Sequence, residues 1–179
     1  MPQVPASPPA SEMVAPQKLR NIVSTAGTTR DFLAIVKRLA GASPAEILGV
    51  RLIIEPLAAA TAVSSATGAD LKGIRAAHTQ AVMQSELTGF EHWDAELHSR
   101  IYAATRNELL ISLNALLGDI RTRAPWIRLK RKVITDVKRR EYCGHHEAIV
   151  DAITQRDSEG AKAAMHRHIS IIIDDLFPK

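Results

Sequence analysis

The sequence predicts an all-α fold, an antiparallel bundle of six or seven helices, and three observations carry that prediction. Apolar residues recur at three- and four-residue spacing along most of the chain. Alternating polar and apolar runs that would mark strands are scarce, and capping or breaking residues separate segments of helical length.

The elements follow in order. Five of the nine prolines (Pro2, Pro5, Pro8, Pro9 and Pro16) fall in the first 16 residues among Ala and Ser, so residues 1–28 read as a disordered or extended segment. Residues 29–42 read as a short linking helix, with Phe32, Ile35, Val36 and Leu39 at helical spacing and Gly41 as its stop. The main domain spans 43–179. It opens with Ser43 as N-cap, Pro44 in the first helical position and Glu46 at the third, which starts a helix over about 44–66. Pro56 lies inside that helix and is expected to kink it. Thr67 and Gly68 break it. Further helices are predicted over 70–84, 88–105, 107–121, 136–155 and 157–176. Short links favour antiparallel neighbours. The longer stretch 122–135, with Pro125, Trp126 and a basic run, reads as a connection.

Composition narrows the function. Of 179 residues 46% are hydrophobic, which suits one core with a terminal extension. A formal charge of +4, from 23 basic and 19 acidic side chains, is mild and lacks the bias of a chain devoted to nucleic acid. The single cysteine, Cys143, forms no intramolecular disulfide and reads as a core residue rather than a thiolate ligand. No stretch approaches ~18 uninterrupted apolar residues and no signal-peptide pattern opens the chain, so the expectation is a cytoplasmic protein without a membrane partner. The basic residues Arg128, Lys130, Arg131, Lys132, Lys138, Arg139 and Arg140 read as a solvated loop and helix start.

Seven histidines remain to be sorted by helix face. Asp94 and His98 stand one turn apart, with Ile101 on the same face. His146 precedes Ile149, Val150 and Ile153 by three, four and seven residues, a core-facing position. His168 follows Ala161, Ala164 and Met165 by seven, four and three residues and precedes Ile172 by four. The neighbours His145 and His166 fall on other faces, and His78 and His92 read as surface residues. A buried aspartate needs its charge neutralised, and three inward imidazoles need partners. A divalent metal answers both needs. Three nitrogens and one carboxylate oxygen suit Zn first, then Ni, Mn, Fe or Co, with a position left for water or a ligand. No additional general base shares that core face, since Glu96 and Glu147 point elsewhere. The expectation is therefore binding without turnover.

The segments RLIIEP (51–56), WDAELH (93–98), ATRNELL (104–110), HEAIVDAI (146–153) and AKAAMHRHI (161–169) resemble successive motifs of the FCD domain. That is the C-terminal effector-binding domain of the FadR subfamily of GntR transcription regulators, and the resemblance covers about 43–176. It implies a dimeric bundle of six or seven helices enclosing a metal and a small organic acid. The family's metal-binding aspartate falls on Asp94, and its three histidines fall on His98, His146 and His168. The resemblance further implies that Arg51 helps hold the acid's carboxylate, for which a guanidinium fork is suited; the alternative is an ion pair with Glu55 one turn on. Arg121 and Arg123 form a second candidate anion clamp, unless they serve only the negative helix end. Asn107, in the ATRNELL motif, completes the candidate effector contacts. The family's winged helix-turn-helix is not evident before residue 43, so contact with DNA is expected only through such a domain outside this sequence.

Overall fold

Ser43 Oγ accepts from the Glu46 backbone N–H, and the Glu46 carboxylate accepts from the Ser43 N–H at 2.8 Å; Pro44 occupies the first turn, where no donor is lost. This capping box starts α1, Pro44–Ser65, in the computed structural model of the protein. The structure describes residues 34, 37–38, 41–121 and 124–178, without the side chains of 124 and 125. Most of the expected linking helix at 29–42, and the whole expected N-terminal segment, lie outside the described residues.

A second capping box, Thr67 with Asp70, starts α2, Gly68–Val82. There follow α3 (Leu87–Ala104), α4 (Glu108–Arg121), α5 (Ala124–Val133), α6 (Asp136–Thr154) and α7 (Ser158–Leu176). Side chains of Thr135 and Asp157 cap α6 and α7. The described chain is an all-α antiparallel bundle. Six of its helices lie within a few residues of the predicted ones. The seventh, α5, replaces the expected connection at 122–135. Trp126, Leu129 and Val133 recur at three- and seven-residue spacing on its inner side, and Trp126 is buried, so tertiary packing carries a ten-residue helix that its basic sequence alone does not suggest.

Ala42–Lys179 form one unit. Within it α1 packs most extensively along α7, α2 along α3, and α6 along α7. α1 contributes Ile47, Leu48, Ala58, Ala59, Ala62 and Val63 to the core, and α7 contributes Ala161, Ala164, Met165 and Ile169. The helix α1 is long and apolar enough to cross a membrane by length and composition. Half of that apolar stretch is buried inside the bundle, as are its charged residues Arg51 and Glu55.

Two turns are closed by arginines in the left-handed region, Arg106 (φ 57°) and Arg156 (φ 62°). Such backbone is costly for a residue with a Cβ. Arg156 offsets it by donating to the carbonyls of Val63 and Ala66, which end α1, while Arg106 pairs with Asp70 at the start of α2. Arg156→Ala keeps the backbone strain and loses both charged donors, so it is expected to lower unfolding stability by about 2 kcal/mol in urea titrations.

Candidate metal centre

One turn of α3 separates Asp94 from His98, which places both on the side of the helix that also carries Leu97 and Ile101 inward. α6 brings in His146 and α7 brings in His168, each beside buried isoleucines. All four side chains are buried, His146 and His168 completely. One ligand atom from each lies within 4.8 Å of those of the other three. His146 Nε2 is 3.1 Å from His168 Nε2 and 3.2 Å from Asp94 Oδ1, and His98 Nε2 is 3.9 Å from the same oxygen. Ligands ~2.0 to 2.1 Å from a tetrahedral ion stand ~3.3 Å from one another, so the observed spacings need only small adjustments.

The polar groups left over support the same reading. His98 Nε2 is buried with no hydrogen-bond partner, an arrangement that costs free energy unless something else fills it. Its other nitrogen, Nδ1, lies 2.8 Å from Glu55 Oε2, close enough for an ion pair although not aligned as a hydrogen bond. A carboxylate in that place draws Nδ1 toward itself and favours Nε2 as the ligating atom. Glu55 is itself held by Arg51, whose Nε donates to Oε1 at 2.6 Å and whose Nη2 donates to Oε2 at 3.3 Å. Asp94 divides its two oxygens: Oδ1 faces the histidines, and Oδ2 accepts from Arg121 Nη2 at 3.0 Å. The ring of Phe90 stacks on that of His146, and Tyr142 meets His168 edge-on.

Electrostatics put His146, His168 and Asp94 in the protonation states that ligation requires. Burial pushes the His146 imidazole down, and burial together with the neighbouring His146 and His98 holds His168 well below the usual range; both rings are neutral near pH 7. For Asp94 burial acts in the opposite sense, but the hydrogen bond it accepts from His146 and the positive charge of Arg121 outweigh it and keep the carboxyl ionised. Glu55 behaves alike: burial would raise it, while Arg51 and His98 hold it below the usual carboxylate range. The donor set could therefore hold a divalent ion.

Next to the cluster is a cavity of about 10 Å³, lined among others by Arg51, Glu91, Asp94, Arg121, Lys130 and Tyr142. It has room for roughly one water. Two of the sequence-predicted effector residues, Arg51 and Arg121, border it. Asn107 does not: it is exposed, and its Oδ1 accepts from the backbone N–H groups of Leu109 and Leu110 at the start of α4. Arg123 lies outside the described residues.

Sequence reasoning missed Lys130 and Glu91. Lys130 is buried in spite of its place in a basic run, pairs with Glu91 and lies 5.7 Å from the centre of the Trp126 ring. Burial, with Arg121 nearby, pushes its ammonium down to about 8. The available signals were Glu91 three residues before Asp94 on one helix face, and Lys130 four residues after Trp126. His78, expected at the surface, is buried, with Nε2 3.8 Å from Glu147; an arginine, Arg75, covers the same carboxylate. Cys143 is a buried free thiol, as read from the sequence.

A family model described as FCD domain matches residues 46–170. The chain belongs to the FCD domain family. This FCD chain is 30% identical over 132 residues to the Uxu operon transcriptional regulator of Escherichia coli K12, covering 72% of this chain and 51% of that protein. It is 27% identical over 126 residues to the Exu regulon transcriptional regulator of the same strain, covering 70% and 48%. It therefore spans about half the length of these curated relatives, both of which are transcriptional regulators. Among solved structures it resembles E. coli McbR/YncC, with a TM-score of 0.67 and 16% identity over 90% of this chain and 84% of that one. Streptococcus agalactiae GntR gives 0.59 and 18% over 76% and 58%. At such identities the two structures speak for the fold alone. The FCD domain is the regulatory, effector-binding part of GntR-family regulators.

Proposed function

We propose that this FCD domain senses a small organic acid with the help of a divalent metal, Zn ahead of Ni, Mn, Fe or Co, held by Asp94, His98, His146 and His168. The observation that carries the reading is the convergence of one carboxylate and three imidazoles from three helices on one buried point. A bound ion would supply a Lewis-acidic position to which a carboxylate oxygen of the acid could attach. The chain's own part is to place cations beside that position. Arg51 and Arg121 border the small cavity, and Arg121 has guanidinium donors beyond the one given to Asp94.

Turnover has little support in this arrangement, because a base must be free to take a proton. Among the described residues, the carboxylates beside the ligands, Glu55 and Glu91, are both engaged in ion pairs. The sensing state would be passed on through a homodimer in the cytoplasm to DNA, with a winged-helix domain making the contact. An acid can only switch such a system if it prefers one packing of the bundle to another.

Metal analysis of protein purified without an affinity tag is expected to give one ion per chain. Isothermal titration of the metal-loaded protein with a panel of small mono- and dicarboxylates is expected to show metal-dependent binding of at least one. A metal content near zero that added Zn, Ni or Mn does not raise would defeat the proposal.

A further inference from the structure

The 10 Å³ cavity beside the ligands is too small for an organic acid, yet a pocket of about 350 Å³ opens a short distance away between α3, α4 and α5. The two share three lining residues, and all three are charged: Glu91, Arg121 and Lys130. Each is engaged. Arg121 donates to Asp94, and Lys130 is paired with Glu91. Three residues common to both linings form the partition between them.

The partition is asymmetric in its contact with water. The side chains of Arg121 and Lys130 are 9% and 8% exposed, whereas that of Glu91 is 27% exposed. Two nearly dry cations are thus balanced by Asp94 on the inner side and by the half-wet Glu91 on the outer side. An anion arriving in the outer pocket offers both cations a substitute partner. Glu91 is the member that can give way, since it alone keeps substantial hydration to fall back on.

Building on the sensing function proposed above, we propose that Glu91, Lys130 and Arg121 form an ion-pair gate: the outer pocket is the vestibule for the acid, and its carboxylate enters by displacing Glu91 from Lys130. Lys130 acts as the receiving cation and selects for negative charge. Arg121 connects the gate to Asp94, so that opening frees one oxygen of a metal ligand. Attraction by buried cations in a cleft raises association rates for anions by ~10- to 10³-fold, and the effect declines with ionic strength.

The test uses the protein loaded with Co(II), whose visible d–d bands report what enters the metal site, and azide and acetate as probe anions in stopped flow. Lys130→Met is expected to slow anion association by about tenfold or more, with the difference shrinking as ionic strength rises. Glu91→Gln is expected to accelerate it, because Lys130 is no longer occupied. The double variant should behave like Lys130→Met. Circular dichroism and Co(II) content establish that each variant is folded and loaded; should Lys130→Met fail to fold, the opposite sign expected for Glu91→Gln still decides the matter. Association rates within twofold of wild type for the loaded variants would overturn the gate while leaving the metal reading intact. Failure of the wild-type protein to take up Co(II) would remove the metal site and the gate together.

Discussion

Replacing His168 with alanine is expected to abolish the thermal stabilisation that Zn confers on the wild-type protein. A ligand that binds only the folded state at about 100 times its Kd adds ~2.7 kcal/mol, roughly 10 °C in Tm for a domain near this size. Removing one of four ligands weakens binding beyond the ~10- to 100-fold that loss of an outer partner causes, so the shift should fall to near zero. His168→Ala also opens a hole in a buried layer and lowers the Tm of the metal-free protein. The informative quantity is therefore the difference between scans with and without Zn, taken for each variant separately. His166→Ala is the matched control, two residues away on the same helix and exposed. Equal Zn shifts in His168→Ala and wild type would refute His168 as a ligand.

Arg51→Met carries the largest expected loss of stability. Arg51 is among the largest fully buried side chains, and its guanidinium neutralises Glu55, which is 2% exposed. Removing one partner of a buried pair leaves an uncompensated charge and costs about 3 to 5 kcal/mol. Replacing both, in Arg51→Met with Glu55→Leu, removes that charge and is expected to recover most of the loss. Urea denaturation of the two single variants and the double completes the cycle. The double variant also separates folding from orientation: with Glu55 gone, His98 loses the carboxylate beside its Nδ1, so the recovered protein should bind Zn about 10- to 100-fold more weakly than wild type.

Helical periodicity can read which side chains turn inward, and that suffices to single out His146 over His145 and His168 over His166. The structure brings these two together with Asp94 and His98. Periodicity cannot read contacts between elements distant in sequence. The pairing of Glu55 with His98 spans 43 positions and depends on α1 lying against α3, so the sequence offers only the local alternative of Arg51 with Glu55, which is also present. Lys130 illustrates a different limit. Its neighbours Arg128, Arg131 and Lys132 are exposed, and it shares their composition. Only the turn of α5 that buries Trp126 carries Lys130 inward with it. His78 is misread for a related reason: a polar residue on a helix with few large apolar side chains looks solvent-facing until a neighbouring helix covers it.

The alanines buried on α1 and α7 bear on how a change at the site would travel. Ala58, Ala59, Ala62, Ala161 and Ala164 have no side-chain rotamers, so this part of the helix pair has no means of taking up a displacement by repacking. α7 carries His168, and α1 carries the Arg51–Glu55 pair that steadies His98. Any movement of one must be transmitted to the other as a slide or tilt of a whole rod, a lever with almost no slack.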